Sequence, residues 1–187
     1  MGSGSSAGVG EQRIMGDGVS ANSPVNSGRF ATTAADRIRI LERYKRIAMV
    51  GLSSNPFRPS HFAAIYMRSE GYDVTPVNPR EKEVLGLRSY ASLRDAPGPI
   101  EIVDIFREPA AVPQIVEEAI AVGAKVVWMQ LGVVHEEAAE RARQAGIEVV
   151  MDRCVKIEHA RFFGGLSTIG LNTGVISAQK RNHSSTK

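Results

Sequence analysis

A buried strand that runs into a turn of small and polar residues decides the fold. Residues 47–60 read Ile-Ala-Met-Val-Gly-Leu-Ser-Ser-Asn-Pro-Phe-Arg-Pro-Ser. The continuous apolar character of 47–52 is typical of a strand that is buried on both faces of a parallel sheet. The turn that follows leads into a predicted helix over 60–70, with Ser60 as its cap. The apolar positions of this helix that we expect to face the core are Phe62, Ile65 and Tyr66.

The same alternation of apolar runs and amphipathic stretches continues along the chain. Further strands are predicted at 72–77, 100–105, 125–130 and 147–151. Further helices are predicted at 34–45, 91–96, 109–121, 135–145 and 153–162. The helix at 109–121 begins at Pro109 and is stopped by Gly123, and the helix at 135–145 is stopped by Gly146. Buried strands with helices between them predict a single Rossmann-like α/β domain, a doubly wound parallel five-stranded sheet in the order 3-2-1-4-5.

The length and the composition are those of one soluble domain with irregular ends. The chain has 187 residues, of which 43% are hydrophobic and 23% charged. Residues 1–33 are rich in Gly, Ser, Ala and Asn, which predicts a disordered leader, and 165–187 predict a mostly irregular tail. The folded domain is therefore expected at 34–164.

Several classes of protein are disfavoured by the composition. The net charge of +3 is spread along the chain and aromatic residues make up 6%, which argues against nucleic acid as a partner. No apolar run approaches the roughly 20 residues of a membrane helix, and the N-terminus lacks the pattern of a secretory signal. The single cysteine permits no internal disulfide and fits a reducing, cytoplasmic location.

Ligands of such a sheet bind beyond the carboxyl ends of the strands, where the strand order switches. The turn after the first strand combines small residues, hydroxyls and a guanidinium at the start of a helix, a combination that suits phosphate oxygens. The predicted anion-binding residues of this turn are Gly51, Ser53, Ser54, Arg58 and Ser60.

The ends of the other strands predict a ligand that carries several phosphate charges. The second strand ends Val77-Asn78-Pro79-Arg80, the third is followed by Phe106 and Arg107, and the fourth by Gln130 and Gly132. Ser53 and Pro56 break the dinucleotide fingerprint, no acidic residue follows the second strand to hold the ribose of NAD, and no Walker P-loop is present. Asn78 and Arg80 instead suit a ribose that carries a phosphate, and arginines at three loops of one rim suit a ligand with several phosphate charges.

Trp128 and Cys154 allow two readings each. Trp128 is expected in the core rather than in the site. Cys154 follows the fifth strand beside Arg153 and Lys156, which predicts a lowered thiol pKa, the alternative being a buried structural cysteine.

Five motifs in order along the chain resemble the small CoA-binding domain proteins of the YccU type, relatives of the CoA-binding domain of the succinyl-CoA synthetase α subunit. The motifs are V-G-L-S-x-x-P-x-R-x-S (50–60), P-V-N-P-R (76–80), D-I-F-R (104–107), W-M-Q-L-G-V (128–133) and M-D-R-C-x-K-x-E (151–158). The resemblance covers about residues 36–163, and G-L-N-T-G-V-I-S (170–177) is similar to an ending of some members.

The resemblance implies a site for coenzyme A or an acyl-CoA. It places the diphosphate on the first turn, the adenosine beside 77–80 with Arg80 near the phosphorylated ribose, and the cofactor against Phe106 and Arg107. Gln130 and Gly132 would border the pantetheine arm, and Cys154 would lie near its thiol end.

The chain departs from the synthetase in having neither the domain of the phosphorylated histidine nor the nucleotide-grasping subunit. No metal-ligand spacing, Ser/His/Asp set or paired carboxylates can be assembled, so we expect a protein that is non-catalytic alone. Two alternatives stay open: an NADP-type oxidoreductase on the same fold, and a subunit of an acyl-CoA ligase that needs a partner. The sequence leaves undecided whether the chain forms a homo-oligomer or binds an unidentified protein.

Overall fold

A parallel sheet lies at the centre of the computed structural model, which describes residues 1–2, 30–31 and 33–164. The strands are β1 Arg46–Val50, β2 Asp73–Val77, β3 Glu83–Val84, β4 Leu87–Arg88, β5 Ile102–Ile105, β6 Val126–Met129 and β7 Glu148–Val150. The α-helices are α1 Ala34–Arg43, α2 Pro59–Ser69, α3 Val112–Ala121, α4 Glu136–Gln144 and α5 Val155–Phe163, and a 3₁₀ turn at Pro109–Ala111 precedes α3. The predicted α/β fold, a doubly wound parallel five-stranded sheet, is confirmed.

The strand order is β2-β1-β5-β6-β7, with every neighbouring pair parallel. Counted along the chain, the third parallel strand, β5, lies beside β1, whereas the predicted order 3-2-1-4-5 placed it outside β2. That outer position is taken by Tyr90, which forms an isolated parallel bridge to Val77. With the Tyr90 segment counted as the third strand, the arrangement has the 3-2-1-4-5 order of a Rossmann sheet and a further strand after it.

Two apolar clusters cover the two faces of the sheet. Alternate residues of each strand point to opposite faces, so Val103 and Ile105 belong to the cluster under α3 and α4, and Ile102 to the cluster under α1, α2 and α5. Trp128 is fully buried in the second cluster, and its Nε1 donates a 2.7 Å hydrogen bond to the carbonyl of Arg153. The prediction that Trp128 is a core residue is confirmed.

Helix α2 presents a different face to the sheet from the one predicted. Phe62 and Ile65 are exposed, whereas Ala63, Ala64 and Met67 are buried. The small side chains let the helix lie close to the sheet, and Phe62 consequently points to the edge of the cavity described below. Ser60 is not the cap either: Arg58 occupies that position without a side-chain bond, and Ser60 is buried in the first turn.

The predicted helix at 91–96 is wrong. Two turns replace it, closed by the hydrogen bonds from Asp95 N to Ser92 O and from Ala96 N to Leu93 O. A stretch of six residues before Pro97 and Pro99 is too short to make up the cost of helix nucleation. The buried side chain of Leu93 anchors this segment instead.

Two residues of the predicted leader contact the far edge of the sheet. Phe30 forms a parallel bridge with Val149, and Ala31, which is buried, donates a hydrogen bond of 2.8 Å to the same residue. Residues 3–29 and 32 of the leader, and the predicted tail 165–187 with its motif at 170–177, lie outside the described residues. Among the helices that are described, none is long and apolar enough to cross a membrane.

Candidate functional site

A cavity of about 870 Å³ opens at the carboxyl ends of β1, β5 and β6. This is the switch point of the sheet, since the chain runs from β1 to β2 on one side and β5 pairs with β1 on the other. Ten of the predicted site residues line it: Gly51, Ser53, Arg58, Ser60, Asn78, Arg80, Phe106, Arg107, Gln130 and Cys154.

Four predicted site residues do not line the cavity. Val77 is buried inside the sheet, Pro79 is exposed, and Ser54 is bonded to a neighbouring carboxylate. Gly132, at a φ of 82°, donates its N–H to Asp152 Oδ1 at 2.7 Å. The predicted ligand contacts of Val77, Pro79 and Gly132 therefore have less support from the geometry than those of the ten lining residues. The donors of Ser54 are instead occupied by a carboxylate that itself lines the cavity.

Gly51 makes the tight exit from β1. Its φ is +89°, and its N–H donates a hydrogen bond of 2.8 Å to Val77 O. A Cβ at this position would lie 2.9 Å from Cδ of Arg107. The absence of a side chain is what allows Arg107 to cross the turn and reach the cavity.

Side chains within the first turn and α2 fix the shape of the turn. Ser53 N donates to Ser60 Oγ at 3.2 Å, and Nδ1 of His61 lies 2.9 Å from the carbonyl oxygen of Ser53. Asn55 N donates to Ser53 Oγ at 3.2 Å. The hydroxyls predicted for phosphate binding thus also organise the turn that would present them.

The carboxylate of Glu81 occupies the outer donors of this turn. It accepts hydrogen bonds of 3.0 Å from both the N–H and the hydroxyl of Ser54, and one of 3.5 Å from the hydroxyl of Ser53. The Ser54 backbone bond is the largest cause that lowers the pKa of Glu81, and the serine hydroxyls lower it further. The turn therefore already binds an anion, one supplied by the chain itself.

Four cations surround the cavity. They are Arg58, Arg80, Arg107 and Lys156. The carboxylate of Glu108 also lines it and accepts a 3.0 Å hydrogen bond from Arg107 Nη2. Arg58 and Arg80 are exposed, so both guanidiniums can be offered to a ligand without the cost of breaking a buried structure.

Asn78 serves the fold with the amide that was predicted to contact the ribose. Its Nδ2 donates to Leu52 O at 2.9 Å, and its Oδ1 accepts from Arg80 N at 3.1 Å. The residue, which is buried, therefore ties the end of β2 to the end of β1 and fixes the backbone of Arg80. One N–H of its amide group and one lone pair of its oxygen are left for other partners.

A buried carboxyl lies behind the inner wall of the cavity. Gln130 lines the cavity and donates from Nε2 to Asp104 Oδ1 at 2.6 Å. Burial raises the pKa of Asp104 to about 8, against the opposing effect of this hydrogen bond. Asp104 is therefore mostly protonated at neutral pH.

Cys154 lines the cavity, but the prediction of a lowered thiol pKa is wrong. Burial raises the pKa of this thiol, and the nearby Asp104 raises it further. These effects outweigh the lowering by Lys156 and by the backbone N–H groups of Ile157 and Lys156. Nη1 of Arg153, the other cation next to the thiol in the sequence, donates a 2.9 Å hydrogen bond to the carbonyl of Asp152.

Nine lining residues were not predicted: Phe57, Pro59, Phe62, Glu81, Glu108, Leu131, Val133, Lys156 and Ile157. Each lies within a few residues of a predicted one, so the signal available was position after a strand rather than chemistry. Phe57 is 87% exposed and Phe62 is 52% exposed, so the mouth of the cavity carries aromatic surface. Over the part of the chain that the structure describes, no group of three or more His, Cys, Asp or Glu could hold a metal ion.

Comparison with known proteins gives one family and several relatives. A family model described as a CoA binding domain matches residues 45–160. An uncharacterized protein of Bacillus subtilis, YneT, is 45% identical over 121 residues, which span 65% of this chain and 90% of that protein. The solved structure of a hypothetical protein from Pyrococcus horikoshii has 42% identity and a TM-score of 0.70, with 78% of this chain and all of that chain covered.

A more distant relative is part of a larger enzyme. The α subunit of an ADP-forming acetate–CoA ligase from Pyrococcus furiosus is 28% identical over 122 residues. The match covers 59% of this chain but spans only 27% of that subunit.

Proposed function

Since the chain belongs to the CoA-binding domain family, we propose that it binds coenzyme A or an acyl-CoA in the cavity at the carboxyl ends of its parallel strands. The observation that carries the proposal is the cluster of cations around this cavity. Arg58, Arg80, Arg107 and Lys156 come from four different segments and meet at one switch point. Such a cluster suits the diphosphate and the 3′-phosphate of coenzyme A.

The two ends of the cavity suit the two ends of the ligand. The first turn and the arginines offer donors for phosphate oxygens. The inner wall, formed in part by Gln130, Leu131 and Val133, offers a mixed apolar and amide surface for the pantetheine arm. Cys154 is near enough to Asp104 for that carboxyl to raise its pKa, and Asp104 is bonded to Gln130 of the inner wall, which supports the proposed place of Cys154 near the thiol end.

The chain on its own is proposed to bind rather than to catalyse. Asp104 is fully buried and does not line the cavity, so it is poorly placed to act on a ligand as a general base. Burial raises the pKa of the Cys154 thiol, which makes it a poor nucleophile at neutral pH. The relationship to part of a ligase subunit favours a second candidate, a CoA-binding component that acts with a partner protein. Co-purification from the native host, followed by identification of stoichiometric partners, tests that candidate.

Calorimetric titration of the protein with CoA, acetyl-CoA and NADPH tests the main proposal. We expect saturable binding of the two CoA compounds at one site and much weaker binding of NADPH, because the broken glycine fingerprint does not suit a dinucleotide. Preference for NADPH would support the oxidoreductase alternative instead.

A cytoplasmic location stays a prediction.

A further inference from the structure

We propose that Glu81 is a specificity-determining residue of the proposed CoA site: its carboxylate occupies the phosphate donors of the first turn and must be displaced by the ligand's diphosphate. This inference rests on the proposed function. It concerns a residue that the motifs did not include and that lies directly after the predicted Arg80.

The contacts of Glu81 are those expected of a bound anion. Its Oε1 atom accepts from the N–H and the hydroxyl of Ser54, each at 3.0 Å, and from Ser53 Oγ at 3.5 Å. Backbone N–H groups and hydroxyls in a turn between a strand and a helix are the donors that bind phosphate in this class of sheet. Glu81 therefore uses the donors that a phosphate oxygen would need.

The carboxylate is also able to leave. Glu81 is half-buried at the wall of the cavity. Within the described part of the chain, its carboxylate forms hydrogen bonds only with Ser53 and Ser54. Rotation toward solvent would free the donors at the cost of those bonds, with water replacing them. The diphosphate, with two negatively charged groups, can repay that cost through the arginines as well, whereas a single weak anion cannot.

The charge of Glu81 has a second effect on the ligand. Glu81 lines the same cavity as Arg58 and Arg80, where its negative charge offsets part of the field that attracts phosphate. Removing this charge should therefore tighten binding of phosphate-bearing ligands. It should leave a ligand without phosphate unaffected.

The test compares three variants with the wild type by calorimetry. Glu81→Gln keeps the size of the side chain and removes its charge, and Glu81→Ala removes both. Glu83→Gln is the matched control, because Glu83 is an exposed carboxylate two positions further on that does not line the cavity. Urea denaturation of each variant verifies that the fold is retained.

We expect Glu81→Gln and Glu81→Ala to bind CoA and inorganic diphosphate at least about fivefold more tightly than the wild type. Glu83→Gln should match the wild type, and pantetheine, which has no phosphate, should bind all four proteins alike. If the wild type binds CoA but both Glu81 variants bind it equally well or more weakly, the inference is overturned and the proposed function is retained. Tighter diphosphate binding by the Glu81 variants without CoA binding by any of the four proteins would support the role of Glu81 and overturn the proposed function. Absence of binding by all proteins to every ligand would overturn both.

Discussion

Gln130 Nε2 lies 2.6 Å from Asp104 Oδ1 and joins the wall of the cavity to a fully buried carboxyl in the middle strand of the sheet. The other carboxyl oxygen, Oδ2, has no hydrogen-bond partner among the described residues. A charged carboxylate in such a place would be costly, and burial accordingly raises the pKa of Asp104 to about 8 from its ordinary 3.8. The pair couples the stability of the sheet to pH.

The sign of that coupling gives the first prediction. Between about pH 4 and pH 8 the unfolded chain loses the Asp104 proton while the folded protein keeps it, so the free energy of unfolding falls as the pH rises. We expect the free energy of unfolding of the wild type to fall between pH 5 and pH 8, as measured by urea denaturation. In Asp104→Asn this fall should be smaller by at least about 2 kcal/mol. Asp73→Asn, which removes an exposed carboxyl of β2, is the matched control. The same loss in Asp104→Asn and the wild type would show that Asp104 does not titrate as described.

A second prediction concerns Gly51, where backbone strain and a steric conflict coincide. Gly51→Ala should destabilise the protein and weaken CoA binding, because its new Cβ would lie 2.9 Å from Arg107 Cδ. Gly123→Ala is the control, since Gly123 has a φ of +71° but nothing within 4 Å of an added Cβ. The control should lose about 1–2 kcal/mol from backbone strain and keep its affinity for CoA. If both variants lost the same amount of stability and both bound CoA normally, a steric conflict between the new Cβ and Arg107 would be excluded.

The third prediction is that Arg58 contributes to ligand binding and not to the stability of the fold. Arg58→Ala should weaken CoA binding about tenfold or more, because a charge-assisted hydrogen bond to phosphate contributes roughly 1.5–3 kcal/mol. Its free energy of unfolding should stay within about 0.5 kcal/mol of the wild type, since the side chain is exposed and makes no capping bond. Arg94→Ala, at an exposed arginine outside the cavity, should change neither quantity. If Arg58→Ala unfolded the protein but bound CoA normally, the arginine would belong to the fold.

The fourth prediction follows from the raised pKa of Cys154. At pH 7.5 this thiol should react with iodoacetamide about tenfold more slowly than free glutathione, because less of it is thiolate and because it is partly buried. Saturating CoA should slow the reaction further, since Cys154 lines the cavity. Intact-mass spectrometry measures the rate, with Cys154→Ser as the blank. A reaction faster than that of glutathione would restore the low pKa that the sequence predicted.

The strands could be predicted because continuous apolar runs such as Val126–Met129 permit little else than a strand buried on both faces. That the Tyr90 segment lies outside β2 while β5 pairs with β1 could not be predicted, because apolar periodicity carries no information on which neighbour a strand pairs with. The facing side of α2 was mispredicted for a related reason. The apolar pattern predicts that Phe62 faces inward, whereas contact with the sheet selects the small Ala63 and Ala64 and leaves Phe62 at the cavity mouth.

The candidate site was predictable as far as it depends on position after a strand. Ten residues meet at one cavity because the carboxyl ends of parallel strands share one edge. What could not be predicted is how those residues satisfy one another. The bonds from Ser54 to Glu81 and from Asn78 to Leu52 O join separate loops, and the sequence pattern carries no signal for them. The pattern of phosphate donors in the first turn likewise does not indicate that a carboxylate occupies them.

The central claim is that the cations around the cavity hold the several phosphates of coenzyme A. Its most direct test is a calorimetric comparison of CoA with dephospho-CoA, which lacks only the 3′-phosphate. We predict that dephospho-CoA binds about tenfold or more weakly, because the proposed contact between Arg80 and that phosphate is lost. Equal affinities for the two compounds, or no binding of either, would contradict the claim.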